Sequence, residues 1–291
     1  MVNSTSGTFS DPRLLAGLFS NASLRGLCKP VSNSNSFVSG LQSMLNVSAT
    51  GQTLRNLLDQ GYQELLQSYR HEYIFKSALF KDFILENYAL DNAILLSEFK
   101  IGGSIADAVL VNGTNKVFEI KTELDSPVRL VSQIQDYKKA FSEVYLVVHQ
   151  NQAEKYAKII SSEIGILCFS EALGFIEIKK AKADTSQLEI EAMVKSLRKD
   201  ELSSLATSLT GEIPIATPVK LFKTCLEILK SFQPEQVQME YLQIIKKRIN
   251  PQVNQKVLSD QIPPYLKFFC YTENIKEKDY LHLLNSLDIT F

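Results

Sequence analysis

The chain has no surplus of basic charge. Its 291 residues carry 31 Lys and Arg against 32 Asp and Glu, and no long stretch is strongly basic. A field of one sign that would draw in nucleic acid over distance is therefore missing. Binding to a polyanion would have to come from a local patch, a bound metal or a partner's surface. Cysteine is sparse and scattered: Cys28, Cys168, Cys225 and Cys270 form no Cys-x-x-Cys pair, and only His71, His149 and His282 exist to join them. That argues against a zinc site and for buried free thiols in a reducing compartment. No apolar run reaches the length of a membrane span, and the first twenty residues, broken by Asp11, Pro12 and Arg13, do not read as a secretory signal. A soluble cytoplasmic protein without membrane association is expected. A Gly-rich phosphate loop and a Gly-x-Ser-x-Gly elbow are also missing.

What is present supports a sizeable core, because 45% of residues are apolar. Residues 1–10 are rich in Ser, Thr, Asn and Gly and read as a frayed end. Helical patterns follow near 11–27, 36–47 and 52–68, the first two separated by a Ser/Asn-rich stretch at 32–36. Arg70 to Tyr88 reads as a strong helix, with Tyr73, Leu79, Phe80, Phe83 and Ile84 on or near one stripe. Strands are expected near 93–99, on both sides of Asn112-Gly113, at 143–149, and near 164–169 and 175–179. Helices are expected at 127–142 and 152–163. Beyond a linker at 181–186 nearly everything is helical, punctuated by prolines from Pro214 to Pro264.

The most informative stretch is Ile105-Ala106-Asp107, eleven residues, then Glu119-Ile120-Lys121. Side chains alternate along a strand, so Glu119 and Lys121 share a face while Phe118 and Ile120 point the other way. Asn112-Gly113 is a strong hairpin signal. A three-residue loop at 112–114 pairs Val111 with Asn115, and thus Asp107 with Glu119. A five-residue loop pairs Asp107 with Lys121. A two- or four-residue loop sends Asp107 to the opposite face unless a bulge intervenes. An odd loop or a bulge is therefore predicted, with three charges aimed at one point, suited to a divalent cation. Taken by itself, the set also reads as an exposed ion pair on a strand face.

Asp, this gap, and Glu-x-Lys resemble the PD-(D/E)XK nuclease superfamily. Glu72, on the upstream helix, stands where that superfamily often has a further acidic residue. Gln133-Ile134-Gln135-Asp136-Tyr137 resembles the Gln-x-x-x-Tyr element of its RecB-like branch. The resemblance covers about residues 70 to 180 and is similar to a poorly characterised bacterial subfamily. Ala106 departs from the Pro that commonly precedes the Asp. The resemblance implies an α/β fold: a restriction-endonuclease-like mixed sheet flanked by helices. Around it, an N-terminal helical extension (1–69), a core (70–182) and a C-terminal all-helical domain (183–291) are expected. It implies a Mg²⁺- or Mn²⁺-dependent nuclease acting on DNA, or less favourably RNA, in a bacterial defence or mobile-element setting. Asp107, Glu119, the carbonyl of Ile120 and Glu72 would hold the metal. Lys121 would position water or stabilise charge, and Gln133 would approach from the adjacent helix. Hard oxygen ligands suit Mg²⁺.

Other residues carry blander readings. Glu98 ends the preceding strand, Asp125 or Ser126 caps a helix, His149 is structural, and Lys246-Lys247-Arg248 is a solvated basic face. Arg129, one turn before Gln133, reads equally as a phosphate contact or a solvated arginine. The alternative to a nuclease is a non-catalytic binding or assembly subunit on a nuclease-like scaffold, and a protein partner or inhibitor is compatible with either.

Overall fold

The computed structural model describes residues 11–30, 34–48 and 50–291, so the Ser/Thr/Asn/Gly-rich 1–10 and the first two residues of the Ser/Asn-rich stretch 32–36 lie outside the described residues. The chain divides into two compact units: residues 1–86 with 251–291, and residues 87–250. The boundaries expected at 69/70 and 182/183 do not coincide with this division. The reason is long-range packing that no local pattern announces.

The first unit is helical. It contains α1 (Pro12–Leu18), α2 (Ser34–Leu45), α3 (Leu54–Ser68), α4 (Glu72–Ala78), α5 (Pro251–Leu258), α6 (Pro264–Thr272) and α7 (Glu277–Leu287). Asp11 accepts the Arg13 N–H at the start of α1, with Pro12 at the first helical position, where its missing N–H leaves no helical bond unmade. The helix expected over 70–88 is not uniform: α4 widens into a π-helical stretch, Leu79–Ile84. Phe19, Tyr62, Tyr73 and Tyr265 form its aromatic centre. The Tyr265 carbonyl accepts from Tyr73 Oη (2.8 Å) and Ser77 Oγ (3.0 Å), which ties α6 to α4. The chain end joins in, as the Phe291 carbonyl accepts the Gly51 N–H and Thr53 bridges Thr290. Residues 251–291 therefore belong with the N-terminal helices.

The second unit is built on one six-stranded mixed sheet, in the order β1 (Ile94–Ile101), β2 (Ser104–Val111), β3 (Asn115–Lys121), β4 (Glu143–His149), β5 (Gly165–Ser170) and β6 (Gly174–Lys179). Strands β1–β2, β2–β3 and β5–β6 pair antiparallel, while β3–β4 and β4–β5 pair parallel. The parallel crossover from β3 to β4 carries α8 (Leu130–Lys138), preceded by the 3₁₀ turn Pro127–Arg129, which Ser126 caps. Every residue of β4 is buried, as its continuous apolar run implies. The expected α/β fold is thus present: a mixed sheet with flanking helices and helical regions at both ends of the chain.

Helices α9 (Ile190–Lys195), α10 (Lys199–Thr210), α11 (Leu221–Leu229) and α12 (Pro234–Lys246) belong to this sheet unit, not to a separate C-terminal domain. Gln238 Nε2 donates to the Ala140 carbonyl at 2.7 Å, and the Arg248 guanidinium lies over Phe99, 4.9 Å from the ring centre. Arg248 also pairs with Glu201 at 2.6 Å, and Lys246 donates to the Asn92 carbonyl. Two of the three cations read as a solvated face are thus committed to packing. No helix among the described residues is long and apolar enough to cross a membrane.

Candidate metal centre

The β2–β3 hairpin sets the site. Its loop is Asn112-Gly113-Thr114, with Gly113 at φ 96° and the Asn112 N–H donated to the Thr114 carbonyl. This three-residue loop pairs Val111 with Asn115, and the ladder runs on to Ala108 opposite Phe118. The odd loop predicted from face parity is the one observed. The next step in that register brings Asp107 opposite Glu119. There the ladder stops, and Asp107 Oδ2 instead accepts the Ile120 N–H at 2.7 Å. A side-chain carboxylate replaces a backbone carbonyl, so the strands part where the charges sit.

Glu119 is 2% exposed and Lys121 7% exposed, so this is no surface ion pair. Lys121 Nζ donates to Glu119 Oε1 at 2.7 Å and to Gln133 Oε1, on α8, at 3.0 Å. Glu119 Oε2 accepts from Tyr137 Oη, one turn beyond Gln133, and that hydroxyl also lies 2.9 Å from the Ile105 carbonyl. Burial, then the Glu119 charge, pushes the Tyr137 phenol well above its ordinary range, so it stays a donor. The structure thus brings Glu119, Lys121, Gln133 and Tyr137 into one buried network with Asp107 beside it. Glu72 opens α4 and pairs with Lys76.

A clamp holds α8 to the sheet. Asp136 accepts the Gly103 N–H at 3.0 Å and the Ser104 hydroxyl at 2.7 Å. Burial pushes its carboxyl up, but these bonds and the contact with Lys139 outweigh that and hold it below its ordinary value. Gly102 turns the β1–β2 hairpin at φ 59°, and a Cβ there would lie 2.7 Å from Asp136 Oδ1. A side chain at Gly102 would push away the helix that carries Gln133 and Tyr137.

Glu98 departs from its expected place. It lies inside β1, not at its end, between the pairs Ser97–Ala108 and Phe99–Ala106, and so directly across from Asp107. Its φ of 55° is left-handed, uncommon for a non-glycine residue in a strand. One of its carboxylate oxygens lies within 4.8 Å of one of Asp107. Glu98, Asp107 and Glu119 thus occupy one row across three strands. Only a register argument extended to β1 reveals this row.

The turn after β3 is closed by Asp125, whose Oδ2 accepts from the N–H and the hydroxyl of Thr122, both at 2.8 Å. Of the two expected caps, Ser126 takes the role. His149, at the end of β4, is buried between Glu171 (3.2 Å from Nε2) and Glu123 (3.5 Å from Nδ1). Its Nδ1 also accepts the Asn151 N–H, which starts the next turn and fits its structural reading. Arg129 is exposed at the start of α8.

Comparisons with known proteins bear on the chain as a whole. Protein cII of Enterobacteria phage P4 is 27% identical over 171 residues, 58% of this chain and 62% of the relative. The match therefore spans less than two thirds of that relative's length. A protein of unknown function from Silicibacter pomeroyi aligns with a TM-score of 0.27 at 18% identity, over 32% of this chain and 63% of the other. The family model described as bacteriophage P4 protein cII matches residues 65–262, well over half of the sequence and reaching into both units. The chain belongs to the bacteriophage P4 protein cII family.

Proposed function

We propose that this protein is a metal-dependent nuclease that hydrolyses phosphodiester bonds of DNA, with RNA the less favoured substrate, in a bacterial defence or mobile-element setting. The observation that carries the reading is the buried network in which Lys121 bonds Glu119 and Gln133, with Asp107 one strand away. It joins the residues of the Asp, Glu-x-Lys and Gln-x-x-x-Tyr elements of the PD-(D/E)XK resemblance.

The donor set fits a hard divalent ion, since it consists of oxygens: the carboxylates of Asp107 and Glu119 and the carbonyl of Ile120. Glu98 adds a further carboxylate close to Asp107, another hard oxygen donor. When bound, Mg²⁺ or Mn²⁺ neutralises phosphate charge and lowers the pKa of a coordinated water. The chain's own residues do the rest. Lys121 holds its ammonium next to the carboxylates, where it orients the attacking water or offsets charge on the pentacovalent phosphorus. Gln133 fixes the Lys121 rotamer, and Tyr137 fixes that of Glu119.

The test is cleavage of labelled DNA and RNA with Mg²⁺ or Mn²⁺ by the full chain. Activity lost in Asp107→Ala and in Lys121→Ala supports the reading, and equal cutting by wild type and variants ends it. One observation favours the alternative of a non-catalytic scaffold. Each oxygen of Glu119 already has a donor, so the network is satisfied without a metal. Failure to bind any divalent ion at millimolar concentration would favour that scaffold.

A further inference from the structure

One hydroxyl in the site has two acceptors. The Tyr137 side chain is fully buried, and its Oη lies within bonding distance of Glu119 Oε2 and of the Ile105 carbonyl, the latter at 2.9 Å. A phenol carries one proton, so it donates to one acceptor at a time. Burial and the Glu119 charge keep that proton in place. The helix is held in register with both acceptors. Asp136, the preceding residue, grips the Gly103 N–H and the Ser104 hydroxyl, and Ser104 directly precedes Ile105. Consecutive residues of α8 thus bond consecutive residues of β2.

The two donors on Glu119 are not equivalent. Lys121 Nζ donates to Oε1 and also to Gln133 Oε1. An ammonium that let go of Glu119 would stay buried beside a neutral amide oxygen, and an uncompensated buried charge is costly. A hydroxyl that let go of Oε2 would turn to the Ile105 carbonyl and remain bonded. A divalent ion repels the proton donated to the oxygen that it binds, so the donor on that oxygen must yield. Tyr137 yields at the smaller cost.

Resting on the metal site of the nuclease reading, we propose that Tyr137 is a two-position gate on Glu119. Its hydroxyl donates to Oε2 until a divalent ion takes that oxygen, and then donates to the Ile105 carbonyl. The ion enters at Oε2, while Lys121 keeps its bond to Oε1. The gate leaves every buried polar group of the network bonded in both positions. Its consequence is a weaker hold on the ion, because the hydroxyl competes for the same oxygen. Tyr137 is a positioning residue here, since it acts through Glu119.

The test uses the full chain with Mn²⁺ or Mg²⁺ alone and no nucleic acid. Tyr137→Phe removes the competing proton, so Mn²⁺ should bind about three- to tenfold tighter in calorimetry. That range is the gap between a hydrogen bond to a charged acceptor and one to a neutral acceptor. Wild type supplies an independent readout that needs no variant to fold. In Mg²⁺ titrations followed by NMR, the carbonyl carbon of Ile105 should move downfield as it gains the hydroxyl. In Tyr137→Phe the same carbon should stay still. Mn²⁺ binding that is unchanged or weaker in Tyr137→Phe, or an Ile105 carbonyl that does not respond in wild type, overturns the gate. Either result leaves the nuclease reading intact, provided that Mn²⁺-dependent cleavage still disappears in Asp107→Ala. Tighter binding by the variant, with no cleavage of DNA or RNA by wild type, keeps the gate and sinks the nuclease reading. Failure of wild type to bind any divalent ion at millimolar concentration overturns both.

Discussion

Replacing Lys121 by Met strips the buried Glu119 carboxylate of one of its two donors. At 2.7 Å and with both side chains nearly inaccessible, this pair is not diluted by solvent as a surface ion pair would be. Removing one partner of a buried pair costs about 3–5 kcal/mol, chiefly because the remaining charge stays desolvated and uncompensated. Here Tyr137 still donates to Glu119, which sets the expected cost of Lys121→Met at the lower end, about 3 kcal/mol. Glu119→Gln leaves Lys121 buried beside the neutral Gln133 oxygen that accepts from it and should cost a similar amount. The two together should cost less than the sum of the singles by ~1–3 kcal/mol, because the second change removes the charge that the first one orphaned. Against a total stability of roughly 5–15 kcal/mol, each single variant should still fold. Urea denaturation, with the midpoint read at unchanged m, measures all four corners of this cycle. Singles that add to within about 0.5 kcal/mol would refute the claim that these two charges form one buried unit.

Three further expectations follow from local geometry. Glu98→Gly removes a carboxylate close to Asp107 and places at this left-handed position the residue that tolerates it best, so it should weaken divalent-ion binding about tenfold in calorimetry while the protein stays folded. Gly102→Ala should cost at least ~1 kcal/mol, since it strains a positive φ and pushes Asp136 away, and should loosen α8, read as faster hydrogen exchange at Gln133 to Tyr137. Alkaline pH should unfold the protein. Burial pushes the Tyr62 phenol up to about 12 and also raises Tyr73, Tyr241 and Tyr265, whereas unfolded tyrosine ionises near ~10. Above that pH the unfolded chain holds fewer protons than the folded one, so stability should fall from about pH 10 through 12, and Tyr62→Phe should make the fall shallower in pH-dependent melts.

The hairpin shows how far the sequence can be read. Asn112-Gly113 and face parity leave only odd loops or a bulge, and the observed three-residue loop is one of those that parity allows. The succession of helices and strands along the chain was legible too, and so was the buried β4, from its continuous apolar run. Glu98 was not, because a left-handed residue in mid-strand leaves no mark in composition. Nor was the partition of the chain. Residues 251–291 and the N-terminal helices are joined by bonds such as Tyr73 to Tyr265, separated by 192 residues. The helix expected to run to 142 ends at Lys138, just after Tyr137 and the Asp136 clamp. The closeness of Gln133 and Lys121 could be anticipated from the resemblance. The closure of Glu119 by Tyr137 depends on that clamp and became visible only in the fold.

The central claim is that Asp107 and Glu119 share one cation beside Lys121, and anomalous diffraction from crystals soaked in millimolar Mn²⁺ tests it most directly. The account predicts a single strong peak bounded by the Asp107 and Glu119 carboxylates and the Ile120 carbonyl, at about 2.0–2.2 Å from its oxygen ligands. A peak elsewhere, or none while Glu119 keeps its bonds to Lys121 and Tyr137, would contradict it.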